Sequence, residues 1–449
     1  MGWGFKSFPS TEREFIEGKS FKPFKTFATT NLHIIKQARE TPNREGGRRY
    51  MDNFDDVLVI DADGHVYEGN IDLRPRMPEQ WRSQAPIRLR DNEGNSRMLL
   101  EGRLWSASQG LGPGVSGPMT EKARGFREGM VDPNARLKDM DQEGIDAAIL
   151  FGTQIALTVN GLMNKELAAV LCRAVNEWLI EYCSADKKRL LAVGLIPCQD
   201  PPAAVKELEY LAKAGAVTAM LPTNVYGLNN MGDSMFDPIY DCAQSLGMPL
   251  SVHPQTGHDG VLGVSGVMGA GSERFRKYAY VHMTAFPFEL MIAMMHMIGE
   301  GVFDRYPRLR VGFMEGGAGW LPFWAERFDE HIEKLAPQMP DLKRKPSEII
   351  KDEQITLTCE SEETGLDRVF AANGESTVMY ASDYCHWDCH FPYSVKDVVD
   401  GQDLSFKQKE RLLSKNAVEF FKLKNLPQPS ALKIARQSWN GGLAKAATA

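Results

Sequence analysis

The stretch VIDADGHVYEGN, residues 59–70, sets Asp61, Asp63, His65 and Glu68 behind a short apolar run. Asp63 and His65 are two apart, so an extended segment projects both side chains to one side. Comparable residues close other apolar runs further along. His253 ends SVHP, Glu315 sits in FMEGG, and Asp383, with His386 and Asp388 close behind, sits in YASDYCHWD. Any one of these reads most simply as a helix N-cap or a turn residue. Recurring at four such ends, carboxylates and imidazoles exceed what capping requires, and together they suit a bound Zn²⁺, Mn²⁺ or Fe²⁺ ion. The thiols stand outside this set. Cysteines at 172, 183, 198, 242, 359, 385 and 389 lack paired spacing and read as reduced. Cys385 and Cys389 have no second pair to complete a zinc ribbon.

Donors so far apart in the chain need a scaffold that gathers strand ends. From residue 57 onward, apolar and β-branched runs alternate with segments of helical period. The runs are VLVI, AAILFG, LAVGLIP, AVTAMLP, PLSVHP, RVGFMEGG, ITLTCE and VMYASD. They are eight candidate strands, apolar enough to be buried on both faces. Helix-like stretches between them include residues 164–185, 201–214, 237–246, 286–298 and 319–335. This alternation predicts an α/β fold, a (β/α)8 TIM barrel, whose active sites collect residues from C-terminal strand ends. A doubly wound sheet would also alternate, but in place of the Gly-rich phosphate turn after its first strand this chain has DADGH.

Additions to the barrel are expected at three places. Residues 1–55 are polar, rich in Lys and Arg and weakly periodic, an N-terminal extension that wraps the body or a partner, or else a disordered tail. The barrel spans residues 56–425, with an insertion or lid at 69–145 that carries the Gly/Pro-rich SQGLGPGVSGPMT. Residues 426–449 form a C-terminal arm, low in core residues and suited to an oligomer contact. A second glycine-rich segment, GVLGVSGVMGAGSE at 260–273, is either a lid or a flexible surface loop.

With 449 residues, net charge −7 and 25% charged residues, the chain has no basic surplus for nucleic acid. Its apolar runs, the stretch around MIAMMHMIG among them, fall short of the roughly 18 uncharged residues of a bilayer crossing. The first residues, MGWGFKSFPSTEREF, show no secretory h-region. A cytoplasmic protein with a small-molecule substrate and no nucleic-acid or membrane partner is expected.

The ordered set of Asp63-x-His65, His253 after the fifth strand, EGG with Glu315 after the sixth and SD with Asp383 after the eighth resembles the amidohydrolase superfamily. Within it, the chain is similar to amidohydrolase family 2, the branch that includes aminocarboxymuconate semialdehyde decarboxylase and γ-resorcylate decarboxylase. Supporting phrases are DPNARLKDMDQEGIDAAILFG and GVFDRYPRLRVGFMEGGAGWLPFWAERFDEH. The resemblance covers residues 56–425 and implies a distorted barrel with a divalent metal, zinc, manganese or iron, at its C-terminal mouth. It makes Asp63, His65, His253 and Asp383 the metal ligands. Where the decarboxylases keep a histidine after the sixth strand, this chain has Glu315. A glutamate cannot donate a proton as an imidazolium does, but it can act as a base or ligate a second metal. The binuclear hydrolase branches place a carboxylated lysine after the fourth strand; AMLPTN offers none. His386 with Glu315 is a candidate second-metal pair, so one or two ions per chain are expected. His282, in YVHMTAFPFE, is a candidate catalytic or metal group, or else a histidine packed under a helix.

The leading expectation is a metal-dependent hydrolase or decarboxylase that breaks a C–N or C–C bond of a small organic acid or ring compound, with Asp383 shuttling the proton and Glu315 assisting. Two others stay open. One is a dinuclear Fe/Mn enzyme that activates O2 on the same scaffold, and the other is a structural or regulatory barrel paired with an active homologue. The assembly expected is a homo-oligomer, or a hetero-oligomer with a related barrel subunit. Substrate specificity is assigned to residues 69–145 and 255–280, where no motif is legible.

Overall fold

The computed structural model describes residues 54–436 except 91–95, 106–126, 226–228, 255–268, 272–273 and 276, together with Trp439. Nearly all of the N-terminal extension, all of SQGLGPGVSGPMT, the greater part of the 260–273 loop and His258 therefore lie outside the described residues.

All eight expected runs form parallel strands: β1 (Ile60–Val66), β2 (Ala147–Gly152), β3 (Leu190–Leu195), β4 (Thr218–Pro222), β5 (Leu250–His253), β6 (Val311–Phe313), β7 (Ile355–Cys359) and β8 (Val378–Tyr380). They are hydrogen-bonded in chain order as one eight-stranded sheet. Every residue of β1 to β8 is buried, as expected when helices cover one face and neighbouring strands fill the other. β1 starts at Ile60, so VLVI is mostly its lead-in, and Asp61, Asp63 and His65 lie inside the strand. Its register against β2 shifts between Asp61 and Gly64: Asp61 pairs with Ala148, but Gly64 with Leu150. Three steps of β1 thus face two of β2, a bulge that re-aims side chains.

The ring closes between β1 and the segment after β8. The Asp383 N–H donates to Asp63 O at 3.0 Å, and the His65 N–H donates to Tyr384 O at 2.7 Å. Asp61 fastens the same joint, its two oxygens accepting from the Ser382 N–H at 2.9 Å and the Ser382 hydroxyl at 2.6 Å.

Helix α1 (Pro133–Glu143) lies under this joint. Asp132 caps it by accepting from the Asn134 N–H, Pro133 opens it, and Gly144, at φ 92°, ends it. Its buried face carries Arg136, Asp139 and Glu143, spaced to share one side. Arg136 donates to His65 O at 2.9 Å, pairs with Asp61 at 3.5 Å and lies 3.7 Å from the Tyr384 ring centre. Asp139 accepts from the Tyr384 hydroxyl, and Glu143 from Ser394. The rest of the insertion includes a three-stranded antiparallel sheet, Ile87–Arg90, Ser96–Leu100 and Arg103–Trp105.

Helices at Lys165–Cys183, Pro201–Ala214, Asp237–Leu246 and Leu321–Leu335 match their expected spans to within a few residues. The helix expected at 286–298 instead runs from Tyr278 to Gly299, because Pro287 is accommodated inside it and does not begin it. That helix is long and apolar enough to cross a membrane by length and composition. Its buried residues, Val281, Ala285, Leu290, Ala293, Met294 and Met297 among them, are those of a helix packed on a barrel. It also exposes Tyr280, Met283, Phe288, Ile292 and Met295. The described part of the C-terminal arm holds more core than expected. Leu432 and Ala435 are buried, and Asp146 accepts from the Ser430 and Ala431 N–H groups at 2.9 Å each.

Burial pushes the Glu143 carboxyl up to about 8 from an ordinary 4.5. Between those values the folded chain holds a proton that the unfolded chain has released, so this group makes stability fall as pH rises. Glu143→Gln should flatten that decline. Urea unfolding at about pH 5, 6.5 and 8 reads the slope, and identical slopes for the two proteins would refute the assignment.

Candidate metal centre

The barrel brings six of the singled-out side chains to one place. Asp63 and His65 come from β1 and His253 from the last position of β5, while Glu315 follows β6 and Asp383 and His386 follow β8. They make two overlapping groups of possible ligand atoms, each with all members within 4.8 Å of one another: Asp63, His65, His253 and Glu315, and His65, Glu315, Asp383 and His386. His65 Nε2 lies 3.5 Å from Asp63 Oδ1, 3.3 Å from Glu315 Oε2 and 3.4 Å from Asp383 Oδ1. His253 Nε2 lies 2.7 Å from Glu315 Oε2. His386 Nδ1 lies 2.7 Å from Asp383 Oδ1 and 3.6 Å from Glu315 Oε1.

These contacts are close but out of line for hydrogen bonds. Both oxygens of Asp63, Nε2 of His65 and of His253, Oε2 of Glu315 and Oδ1 of Asp383 are buried without a hydrogen-bond partner. Buried polar atoms are rarely left in that state. These six atoms converge in one cluster of carboxylate and imidazole donors, which fits a divalent cation.

The outer ring nitrogens explain the orientation of the inner ones. His253 Nδ1 is 2.8 Å from Pro254 O. Thr153 Oγ1 donates to Val66 O at 2.9 Å, which leaves its lone pairs for His65 Nδ1 at 3.4 Å and His386 Nε2 at 3.5 Å. With N–H groups assigned to those outer positions, each ring would offer a bound cation its inner nitrogen; without one, and against burial, Glu315 raises His253 and Asp383 raises His386 above the ordinary imidazole value. The two rings that share Thr153 are stacked, centroids 4.0 Å apart. Glu68, buried under them, accepts from the backbone N–H groups of Thr153, Gln154 and Ala156 at 2.8–3.0 Å and so fixes the loop that carries Thr153.

Burial, helped by the charge of His386, pushes His65 down to about 3, so this ring is neutral. Asp63 is raised well above the usual carboxylate range, chiefly by burial. Burial also pushes Asp383 up to about 7, with Glu315 beside it adding to the effect. Glu315 goes the other way: burial opposes its charge, but His253 holds it well below its ordinary value. Two of the carboxylate residues also sit in the left-handed backbone region, Glu315 at φ 55° and Asp383 at φ 51°. Each such position costs about 1–2 kcal/mol, which the backbone bonds to Thr358 and Asp63 help to offset.

His282 is not in either group. It stacks on Phe286, with ring centroids 4.1 Å apart, and its Nε2 is 3.9 Å from Asp388. Thr153 and Arg136 were not picked out by ligand chemistry, whereas Glu68 stood out with Asp61, Asp63 and His65. Thr153 does follow AAILFG, so a search of every strand end for any polar residue finds it.

The sequence profile of the amidohydrolase family matches residues 60–423. The chain belongs to that family. It is 26% identical over 301 residues to 2-amino-3-carboxymuconate-6-semialdehyde decarboxylase of Dictyostelium discoideum, a match spanning 65% of this chain and 77% of that one. It is 25% identical over 312 residues to γ-resorcylate decarboxylase of Rhizobium sp. (strain MTP-10005), spanning 65% and 87%. Among solved structures it is similar to 5-carboxyvanillate decarboxylase of Novosphingobium aromaticivorans, complexed with manganese and 4-hydroxy-3-methoxy-5-nitrobenzoic acid, with a TM-score of 0.59, 24% identity and coverage of 82% and 97%. The chain is thus an enzyme of a metal-dependent family, and its fold is the distorted (β/α)8 barrel expected.

Thr153→Val removes the oxygen that faces two imidazoles while keeping the side-chain volume. Cation affinity should fall about 10–100-fold, read by competition with a chromogenic chelator. Unchanged affinity would remove Thr153 from the centre.

Proposed function

We propose that this enzyme is a carboxy-lyase that uses a divalent cation to cleave a C–C bond of a small organic acid, with C–N hydrolysis on a ring compound as the competing outcome of the same machinery. The observation that carries it is the convergence of unpartnered donor atoms from Asp63, His65, His253, Glu315 and Asp383. The activities for which the relatives are named support the C–C version. Manganese is the ion we favour, since oxygen and imidazole donors suit it and the similar solved decarboxylase carries it. None of the relatives named above points to O2 activation, and so complete a donor set speaks against a barrel kept only for structure.

When bound, the cation supplies a Lewis acid for the carboxylate or hydroxyl oxygens of the substrate. With their outer nitrogens engaged, His65 and His253 would offer their inner nitrogens to the cation. Asp383 is the proton carrier, its carboxyl pushed by burial and by Glu315 to about 7, where exchange near neutral pH is easy. Glu315 stays an anion and keeps that proton on Asp383. The seven free thiols support a reducing, cytoplasmic location. The uncharged strip of Tyr280, Met283, Phe288, Ile292 and Met295 supports pairing with a second copy.

The test is CO2 release by the Mn²⁺-loaded full chain from ortho-hydroxylated benzoic acids and conjugated unsaturated acids. Release should stop on chelation, and Asp383→Asn should lower kcat/KM about 10²–10⁴-fold. Amine or ammonia released from cyclic amides, with no CO2 from any acid, would replace the carboxy-lyase reading with hydrolysis.

A further inference from the structure

The two donor groups overlap without coinciding, and Glu315 is the hinge between them. Its Oε2 faces His253 at 2.7 Å and His65 at 3.3 Å, whereas its Oε1 faces His386 at 3.6 Å. Asp383 turns to the same side as His386, with Oδ1 2.7 Å from Nδ1. The first group could be filled by a cation held by Asp63, His65, His253 and one Glu315 oxygen. That would leave the second oxygen of Glu315, Asp383 and His386 as donors still facing one another.

Charge makes the same point. Asp63, Glu315 and Asp383 bring three carboxylates to the centre, and an imidazole that ligates a cation is neutral. One divalent cation leaves the ionised set at −1, and two bring it to +1, a net charge that suits an anionic substrate. The Arg136 guanidinium is fully buried nearby, but it is turned to the far side, on Asp61 and His65 O. Beside the second group lies a cavity of about 30 Å³, lined by Asp63, Glu315, Asp383, Asp388 and Glu360 among others. That is room for water-sized occupants and too little for an organic ring.

We propose that Glu315 bridges two divalent cations, the first held with Asp63, His65 and His253, the second with Asp383 and His386. The proposal rests on the metal dependence argued above but not on the reaction. Bridged ions in such centres sit about 3.5–4 Å apart. A carboxylate with one oxygen toward each group is the shape that spacing requires. His386 is held for the task from outside, its other nitrogen facing Thr153 Oγ1.

The test is the metal content of the full chain, stripped with a chelator, titrated with Mn²⁺ and desalted, together with its electron paramagnetic resonance spectrum. The expected result is two Mn²⁺ per chain with the multiline signal of an exchange-coupled pair. His386→Ala and Glu315→Gln should each drop the content to one or fewer and abolish the coupling. His331→Ala should change nothing, because its ring sits on the surface of the Leu321–Leu335 helix, with Nδ1 2.8 Å from Arg327 O. One Mn²⁺ in the unaltered chain, with an uncoupled six-line signal, would overturn the proposal. So would two ions that survive both His386→Ala and Glu315→Gln. If either variant fails to fold, the content and spectrum of the unaltered chain still decide. A content of one with CO2 release intact overturns the second site alone, whereas a coupled pair without CO2 release overturns the carboxy-lyase reading alone.

Discussion

Three carboxylates share one dry space, and among the described residues no lysine or arginine is paired with them. That constraint organises everything around the barrel mouth. Removing Asp63, Glu315 and Asp383 from water costs several kcal/mol per ionised group unless opposite charge meets them. Buried polar groups normally find partners in the protein, yet the inward atoms of this cluster have none. The guanidinium of Arg136, buried close by, is committed to Asp61 and to the carbonyl of His65. The imidazoles meet part of that charge, a bound cation would meet the rest, and the surrounding structure keeps the donors in place for it.

That keeping in place is mostly the work of barrel closure. An eight-stranded parallel ring must join its last strand to its first, and here the joint is made at the ligands themselves: Asp383 N–H to Asp63 O, and His65 N–H to Tyr384 O. The spacing of Asp63, His65 and Asp383 is thus a backbone property and not a matter of side-chain luck. Asp61 and α1 then lock the joint from behind. There is no slack in it, since a Cβ on Gly64 would meet Asp61 Oδ2 at 2.4 Å and Arg136 Nη2 at 2.5 Å. The bulge at Asp61–Gly64 explains how neighbours two apart in β1 serve different ends, Asp61 the joint and Asp63 the centre.

The barrel was legible in the sequence because strands buried on both faces must be continuously apolar, and continuous apolar runs are easy to see. The candidate donors were legible for a related reason: at a strand end, a carboxylate or imidazole breaks an apolar run abruptly. Thr153 breaks the run of β2 in the same way but is not a ligand type, so nothing in its chemistry singled it out. Arg136 and Glu143 were hidden more deeply. They lie on the buried side of α1, where helical periodicity calls for apolar residues, and only the polar atoms of the closure joint explain them. The early start of the Tyr278–Gly299 helix was hidden by Pro287, which reads as a helix opener and proved to be an interior residue. His282 is placed by that helix beside Asp388, one shell away from the donors, a distinction that spacing along the chain does not encode.

Glutamate at the place where the family resemblance leads one to expect a histidine after the sixth strand then has a physical meaning. An imidazole whose outer nitrogen is tied to the protein presents one inward atom, and that atom either carries a proton or binds a cation. A carboxylate presents two, cannot be a strong acid and donor at once, and brings a full negative charge to a place that already holds two. Such an exchange would be destabilising if Glu315 had only to stand where a proton donor once stood. It becomes favourable when each oxygen has a cation to face, and the left-handed backbone at Glu315 is the local strain accepted to aim both oxygens inward. Where no second cation engages it, proton handling falls to Asp383, whose carboxyl is pushed up to about 7 by burial and by Glu315 beside it.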